Sequence, residues 1–104
     1  MIDLKQLQKD IYKNKLDKGF NVTDINKEFC LTYGEMAEAY EAWRKKQTDI
    51  GEEIADVVIY LLGLSEILNV DLETEILKKV NKNKHRQYKI IDGVNTRVKE
   101  YSEK

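Results

Sequence analysis

Asp49-Ile50-Gly51-Glu52-Glu53-Ile54-Ala55-Asp56-Val57-Val58-Ile59-Tyr60-Leu61-Leu62-Gly63-Leu64-Ser65-Glu66-Ile67-Leu68-Asn69 is the stretch on which the fold turns. Asp49 with Glu52 three residues later resembles a capping box, which predicts the start of a helix. Ile50, Ile54, Val57, Val58, Leu61, Leu64 and Leu68 then recur at helical spacing and form the strongest apolar face in the chain, and Asn69 ends it. On the C-terminal side, Asp71 precedes a fourth helix with Leu72, Ile76, Leu77 and Val80 facing inward and a basic second half. On the N-terminal side, a polar connection over 45–48 leads back to a long helix that starts at a Thr23 or Asp24 cap and runs to about Arg44. Its Ile25, Phe29, Met36, Ala39, Tyr40 and Trp43 form a broad apolar stripe. A first segment, from about Ile2 to Lys18, places Leu4, Leu7, Ile11 and Leu16 near helical spacing and stops at Gly19.

The chain has no proline, and most of its five glycines sit near breaks in this pattern, so helices joined by short turns are expected. The fold class that follows is all-α: one four-helix bundle-like domain over 1–104, with its core at about 2–88 and a short tail at 89–104. The stretch Tyr88-Lys89-Ile90-Ile91-Asp92-Gly93-Val94 also reads as two extended pieces around an Asp-Gly turn, and a swapped arm fits it too. Polar chain ends are usually poorly ordered unless tied down, so a loose, partly extended tail is the expectation.

A length of 104 residues suits one domain and is short for two. A helical chain of this size with charge on its inner faces gains from pairing with a copy of itself, so a homo-oligomer, dimer or tetramer, is expected. Eighteen basic and nineteen acidic side chains nearly cancel, which leaves no whole-molecule footprint for a nucleic acid polymer or a membrane surface. No apolar run approaches the roughly 20 residues that span a bilayer, and the start lacks a basic-then-apolar leader; a cytoplasmic protein is expected. Cys30 is the only cysteine, and with a single histidine, His85, far along the chain there is neither a zinc set nor a base for a thiol nucleophile.

Glu35-Met36-Ala37-Glu38 and Glu53-Ile54-Ala55-Asp56 each put two carboxylates three residues apart, on one face of a helix. Acidic residues are common here, so that spacing alone decides nothing. Helical projection adds position: Glu35 and Glu53 fall immediately beside the apolar stripes, with Glu38 and Asp56 on the same side. Four carboxylates facing one another repel unless a cation lies between them. Oxygen donors without His or Cys favour Mg²⁺, with Mn²⁺ as a substitute. The plainer reading is a solvated helix edge paired with lysines. A di-iron centre of the ferritin type wants Glu-x-x-His on two helices, which one histidine cannot supply.

On the fourth helix Lys79, Asn83 and Arg86 share a face, with Lys82 close by and Tyr88 just beyond. Lys and Arg suit triphosphate oxygens and an Asn amide suits sugar or base edges; a solvated basic last turn that complements the helix dipole reads equally from spacing. Trp43, next to Tyr40, and Tyr60, beside the acidic edge, are either core aromatics or platforms on which a base stacks.

Taken in order, Gly34-Glu35-Met36-Ala37-Glu38-Ala39, then Glu52-Glu53-Ile54-Ala55-Asp56-Val57-Val58, then Lys79-x-x-x-Asn83-x-x-Arg86-x-Tyr88 resembles the signature of MazG-like pyrophosphohydrolases, over about Phe20 to Tyr88. The resemblance implies Glu35, Glu38, Glu53 and Asp56 as Mg²⁺ ligands and Lys79, Asn83, Arg86 and Tyr88 as nucleotide contacts; Trp43 is a further substrate-binding candidate. Two departures stand out. Lys89-Ile90-Ile91-Asp92-Gly93 replaces a His-Gly-Gly-Lys-like stretch, so its phosphate contacts are not carried over, and Gly34 replaces the Glu that often precedes the first ligand.

The implied reaction is Mg²⁺-dependent hydrolysis of a nucleoside triphosphate to the monophosphate and pyrophosphate, with Glu35 and Glu38 as catalytic carboxylates, Glu35 the base, and nucleotide-pool clearance as the role. The alternative is a non-catalytic helical dimerisation or interaction module, in which acids and lysines only solubilise.

Overall fold

The structure is a computed structural model and describes residues 1–99. It contains helices α1 (Leu4–Asp17), α2 (Ile25–Arg44), α3 (Ile50–Ile67) and α4 (Leu72–His85), followed by strands β1 (Gln87–Ile91) and β2 (Val94–Lys99). The class is all-α with one small hairpin, as expected. The chain divides into two compact units, Met1–Leu72 and the part from Glu73 onward.

Helix boundaries follow from local chemistry. Asp3 caps α1, its carboxylate accepting from the Gln6 amide at 3.1 Å, and Asp24 caps α2 by accepting from Lys27 N–H at 3.1 Å; such caps contribute about 1 kcal/mol each. Asp49 stands at the start of α3, but with ψ 20° it turns away from capping geometry and its side chain caps nothing. The expected capping box is therefore not formed, and Glu52 points its charge outward, exposed. Three helices close in the same way. Gly19, Lys46 and Asn69 take the left-handed conformation (φ 70°, 56° and 59°). The next amides, of Phe20, Gln47 and Val70, reach back to the carbonyls of Lys15, Ala42 and Ser65 at 2.8, 2.9 and 2.8 Å.

In the first unit α3 packs on both α1 and α2. Ala39 and Ala42 of α2 and Val57, Leu62 and Leu64 of α3 form the buried apolar core. Much of the expected stripe lies elsewhere: Ile25, Phe29, Met36, Tyr40 and Trp43 on α2, Ile54, Val58 and Leu61 on α3, and Leu68 just after it, are exposed in the single chain. Because α3 is apolar on nearly every side, periodicity does not select which side goes inward. The same correction holds in the second unit, where Ile76, Leu77 and Val80 of α4 are exposed and no residue of the helix is fully buried.

Polar ties complete the core. Gln8 of α1 is buried, donates to Glu66 at 3.0 Å and to the Val70 carbonyl at 2.7 Å, and accepts from the Leu72 amide at 3.4 Å. Glu28 is 1% exposed. Its carboxylate meets the Lys15 ammonium at 2.8 Å and takes a long bond from the Asn21 amide at 3.4 Å. The Lys15 stem lies along α3 because residue 63 is glycine: a Cβ there would meet Lys15 Cδ at 3.3 Å and Ile11 Cγ2 at 3.4 Å.

The chain end, expected as a loose and partly extended tail, is an antiparallel hairpin through residue 99, with Ile91 opposite Val94 and Tyr88 opposite Arg97. Asp92 and Gly93 both have positive φ, 52° and 78°, which matches a two-residue hairpin turn and the twist of the β-branched residues around it. The remainder of the tail lies outside the described residues.

Breaking a buried ion pair from one side strands the other charge, which costs about 3–5 kcal/mol, whereas replacing both partners by apolar residues is often close to neutral. Lys15→Met is therefore expected to lower the free energy of unfolding by about 3 kcal/mol in urea titrations, and Lys15→Met/Glu28→Leu to recover most of it. A single variant as stable as the parent contradicts this account of the corner.

Candidate metal centre

The carboxylates converge because α2 and α3 run antiparallel with their acidic pairs level. Glu35 feels the charges of Glu38 and Asp56, and Glu53 feels those of Glu38 and Asp56. One carboxylate oxygen from each of Glu35, Glu38 and Glu53 lies within 4.8 Å of the other two. Asp56 is half-buried and stands beside this triplet as its fourth charge. Three of the four expected ligands are thus brought together directly, and the fourth adjoins them.

Electrostatics show the strain of that arrangement. The Glu35 carboxyl is raised above its ordinary pKa, first because it is withdrawn from solvent, then because of the charges of Glu38 and Asp56 and hydrogen bonding with Glu38. Glu53 is likewise raised, by desolvation first and then by Asp49, Glu38, Asp56 and Glu52. Its Oε2 is shut off from solvent with no hydrogen-bond donor. A buried carboxylate oxygen without a donor, facing two more carboxylates, is the arrangement a hard divalent cation satisfies, so these residues fit a Mg²⁺ ion. Among the described residues no ammonium or guanidinium forms an ion pair with Glu35, Glu38, Glu53 or Asp56.

The cluster opens on one side into a shallow cleft of about 330 Å³, where Glu38 and Glu53 meet Glu41, Lys45 and Gln47. At the other end of the seam stands Tyr60, one helical turn beyond Asp56. Burial and then the charges of Glu35, Glu28, Asp56 and Glu38 raise the pKa of its phenol, so it stays a neutral donor. The Lys15 ammonium sits 5.3 Å from the centre of its ring. Sequence reading did not single out Lys15, Glu28 or Lys45. A signal was present for Glu28, which lies two turns before Glu35 on the same face of α2.

The basic segment belongs to the second unit. Lys79 and Asn83 are exposed on α4, one turn apart. Arg86 follows the helix and donates to the Asn83 side chain at 3.0 Å, so these two form one polar pair. Tyr88 lies on β1, half exposed. Trp43, near the end of α2, is 66% exposed and packs against Tyr40 with ring centres 6.2 Å apart.

An all-α protein with a carboxylate cluster fit for a divalent cation between two antiparallel helices is the class defined so far. The model of the MazG-like family matches residues 25–103, and the chain belongs to that family. No curated protein and no solved structure gives a match. Among the described residues no helix is long and apolar enough to cross a membrane.

The raised proton affinities make a prediction for the metal-free protein. A carboxyl that binds its proton more tightly when folded contributes stability below the ordinary carboxylate range and loses it as pH rises through the raised folded value. Glu35→Gln removes that loss. In EDTA the variant is expected to melt above the parent at about pH 7 and to lose the advantage at about pH 4. Equal melting at both values contradicts the repulsion.

Proposed function

We propose that this chain is a divalent-cation-dependent nucleoside triphosphate pyrophosphohydrolase that releases the monophosphate and pyrophosphate. The observation that carries this reading is the convergence of Glu35, Glu38 and Glu53 around a donorless buried oxygen, with Asp56 adjoining, in a chain of the MazG-like family. Glu35, Glu38, Glu53 and Asp56 would hold Mg²⁺, which when bound offsets the negative charge of the phosphate oxygens.

The remaining chemistry belongs to the side chains. Water attacks the α-phosphorus, a new P–O bond forms, the bond to the bridging oxygen breaks, and pyrophosphate leaves with its electron pair. Glu35, beside Glu38 in the seam, is the carboxylate we assign to accept the water's proton. Lys79 and Arg86 neutralise phosphate charge, with Asn83 and Tyr88 positioning the nucleotide. Clearance of unwanted nucleotides in the cytoplasm is the role this reaction suits.

Self-association is part of the proposal. Phe29, Met36, Tyr40 and Trp43 on α2 and Ile54, Val58 and Leu61 on α3 present more apolar surface than a monomer usually leaves in water. A second copy covers it. The rival reading, a helical interaction module without catalysis, explains those faces but gives no use for the acidic seam.

Pyrophosphate release is the test, measured with standard and damaged nucleoside triphosphates, in Mg²⁺ and in EDTA, for the parent, Glu38→Ala and Asp56→Ala. The expected outcome is Mg²⁺-dependent release that falls by about 100-fold or more in both variants while helical content is retained. Absence of release from every nucleotide, with melting unchanged by Mg²⁺, leaves the interaction module as the better account.

A further inference from the structure

The hairpin at the chain end, which the proposed reaction uses only through Tyr88, is a two-stranded sheet exposed on both faces. Every residue of β1 is exposed, and Ile90, Ile91, Val94 and Val98 are 78%, 46%, 63% and 43% exposed. Within the second unit, α4 makes no extensive packing against the sheet among the described residues. A lone two-stranded hairpin is marginal in water, and gains from a third strand or a helix laid on it. Its edges carry rows of main-chain donors and acceptors, which are a template for a further strand.

The register says which edge accepts one. Around a two-residue turn such as Asp92-Gly93, the flanking residues exchange both main-chain hydrogen bonds, and bonded and non-bonded pairs alternate from there. Ile91 with Val94 and Lys89 with Thr96 are then the bonded pairs, so the N–H and C=O of Tyr88 and Ile90 on β1, and of Asn95 and Arg97 on β2, point to the outer edges. The ladder is regular over this stretch, its irregularity lying beyond, between Gln87 and Tyr88. Joining β1 to β1 of a second copy through these outward groups brings two Lys89 face to face in a non-bonded pair, with Cα atoms about 4.5 Å apart, which like charges oppose. The β2 edge is self-complementary instead. A two-fold axis at Thr96 sets Asn95 against Arg97 of the second copy, and Arg97 against Asn95, with roughly four main-chain hydrogen bonds and no like charges opposed. Thr96 meets Thr96, two uncharged β-branched side chains suited to a sheet. Moving the axis to Arg97 opposes two guanidinium groups, and moving it to Asn95 sets Arg97 against Gly93, where the strand has already turned.

We propose that β2 is an interaction edge that pairs antiparallel with β2 of a second copy, about a two-fold axis at Thr96, and joins two hairpins into one four-stranded sheet. This contact uses no residue of α2 or α3, and it holds or fails independently of the pyrophosphohydrolase reading.

The experiment compares Thr96→Cys with Asn95→Cys in the full chain carrying Cys30→Ser, under mild oxidation, on non-reducing gels, with circular dichroism to check that the variants fold. Asn95 is the more exposed of the two positions, so random collision favours it. Pairing favours Thr96, because it brings the two Thr96 Cα atoms to about 4.5 Å, within the span of a disulfide, and holds the two Asn95 Cα atoms more than about 7 Å apart. The linked dimer is expected to form about tenfold or more faster from Thr96→Cys. In sedimentation velocity, Thr96→Lys and Thr96→Glu are each expected to halve the mass of the parent assembly, because like charges meet at the axis, and an equimolar mixture of the two to restore it. A fall from tetramer to dimer supports the hairpin contact beside a helical one; a fall from dimer to monomer supports the hairpin contact alone. Cross-linking that is equal at the two positions or faster at Asn95 overturns the proposal. So does a mass unchanged in both charge variants, or a halved mass that mixing does not restore.

Discussion

Like charge in the seam between α2 and α3 is the constraint on which the rest of this structure depends. Glu28, Glu35, Glu38, Glu53 and Asp56 line that seam, and among the described residues Glu28 alone of these forms an ion pair with an ammonium. At the Glu28 end, the Lys15 pair turns a buried charge into a tie between α1 and α2. At the other end the carboxylates are left to one another, and burial together with their mutual charge raises the proton affinity of Glu35 and Glu53. A packed helix pair retains such a cluster at a cost in stability, which is the pattern expected where stability gives way to function.

The two ends are linked through α3. Gly63 admits the Lys15 stem, the stem places the ammonium at both Glu28 and the Tyr60 ring, and Tyr60 lies one turn from Asp56. The exposed apolar faces of α2 and α3 belong to the same picture, because a short chain buries only a limited fraction of its surface against itself.

Much of this was legible in the residues. Asp24 caps α2, Gly19 and Asn69 end helices, and the acidic pairs on α2 and α3 do meet, because each of these depends on spacing within one or two turns. What failed needed tertiary information. The Asp49 box is not formed because the backbone there enters the helix at an angle that local pattern does not encode. The apolar stripe of α3 offers too many inward faces, and Ile76, Leu77 and Val80 share a helical face yet are exposed. The Asp92-Gly93 turn is visible in the sequence, and the β-branched residues flanking it order the chain end against the general tendency of polar ends to fray. Lys15 and Glu28 are thirteen residues apart on different helices, so no periodicity joins them.

Direct observation of the cation at the seam tests the central claim most closely. Titrating Mn²⁺ into the parent and into Glu53→Gln, with free Mn²⁺ read by electron paramagnetic resonance, is expected to show saturable uptake by the parent that Mg²⁺ displaces and that the variant loses. Mn²⁺ that stays free at every protein concentration, or that binds the variant as it binds the parent, contradicts the assignment of these carboxylates to a metal.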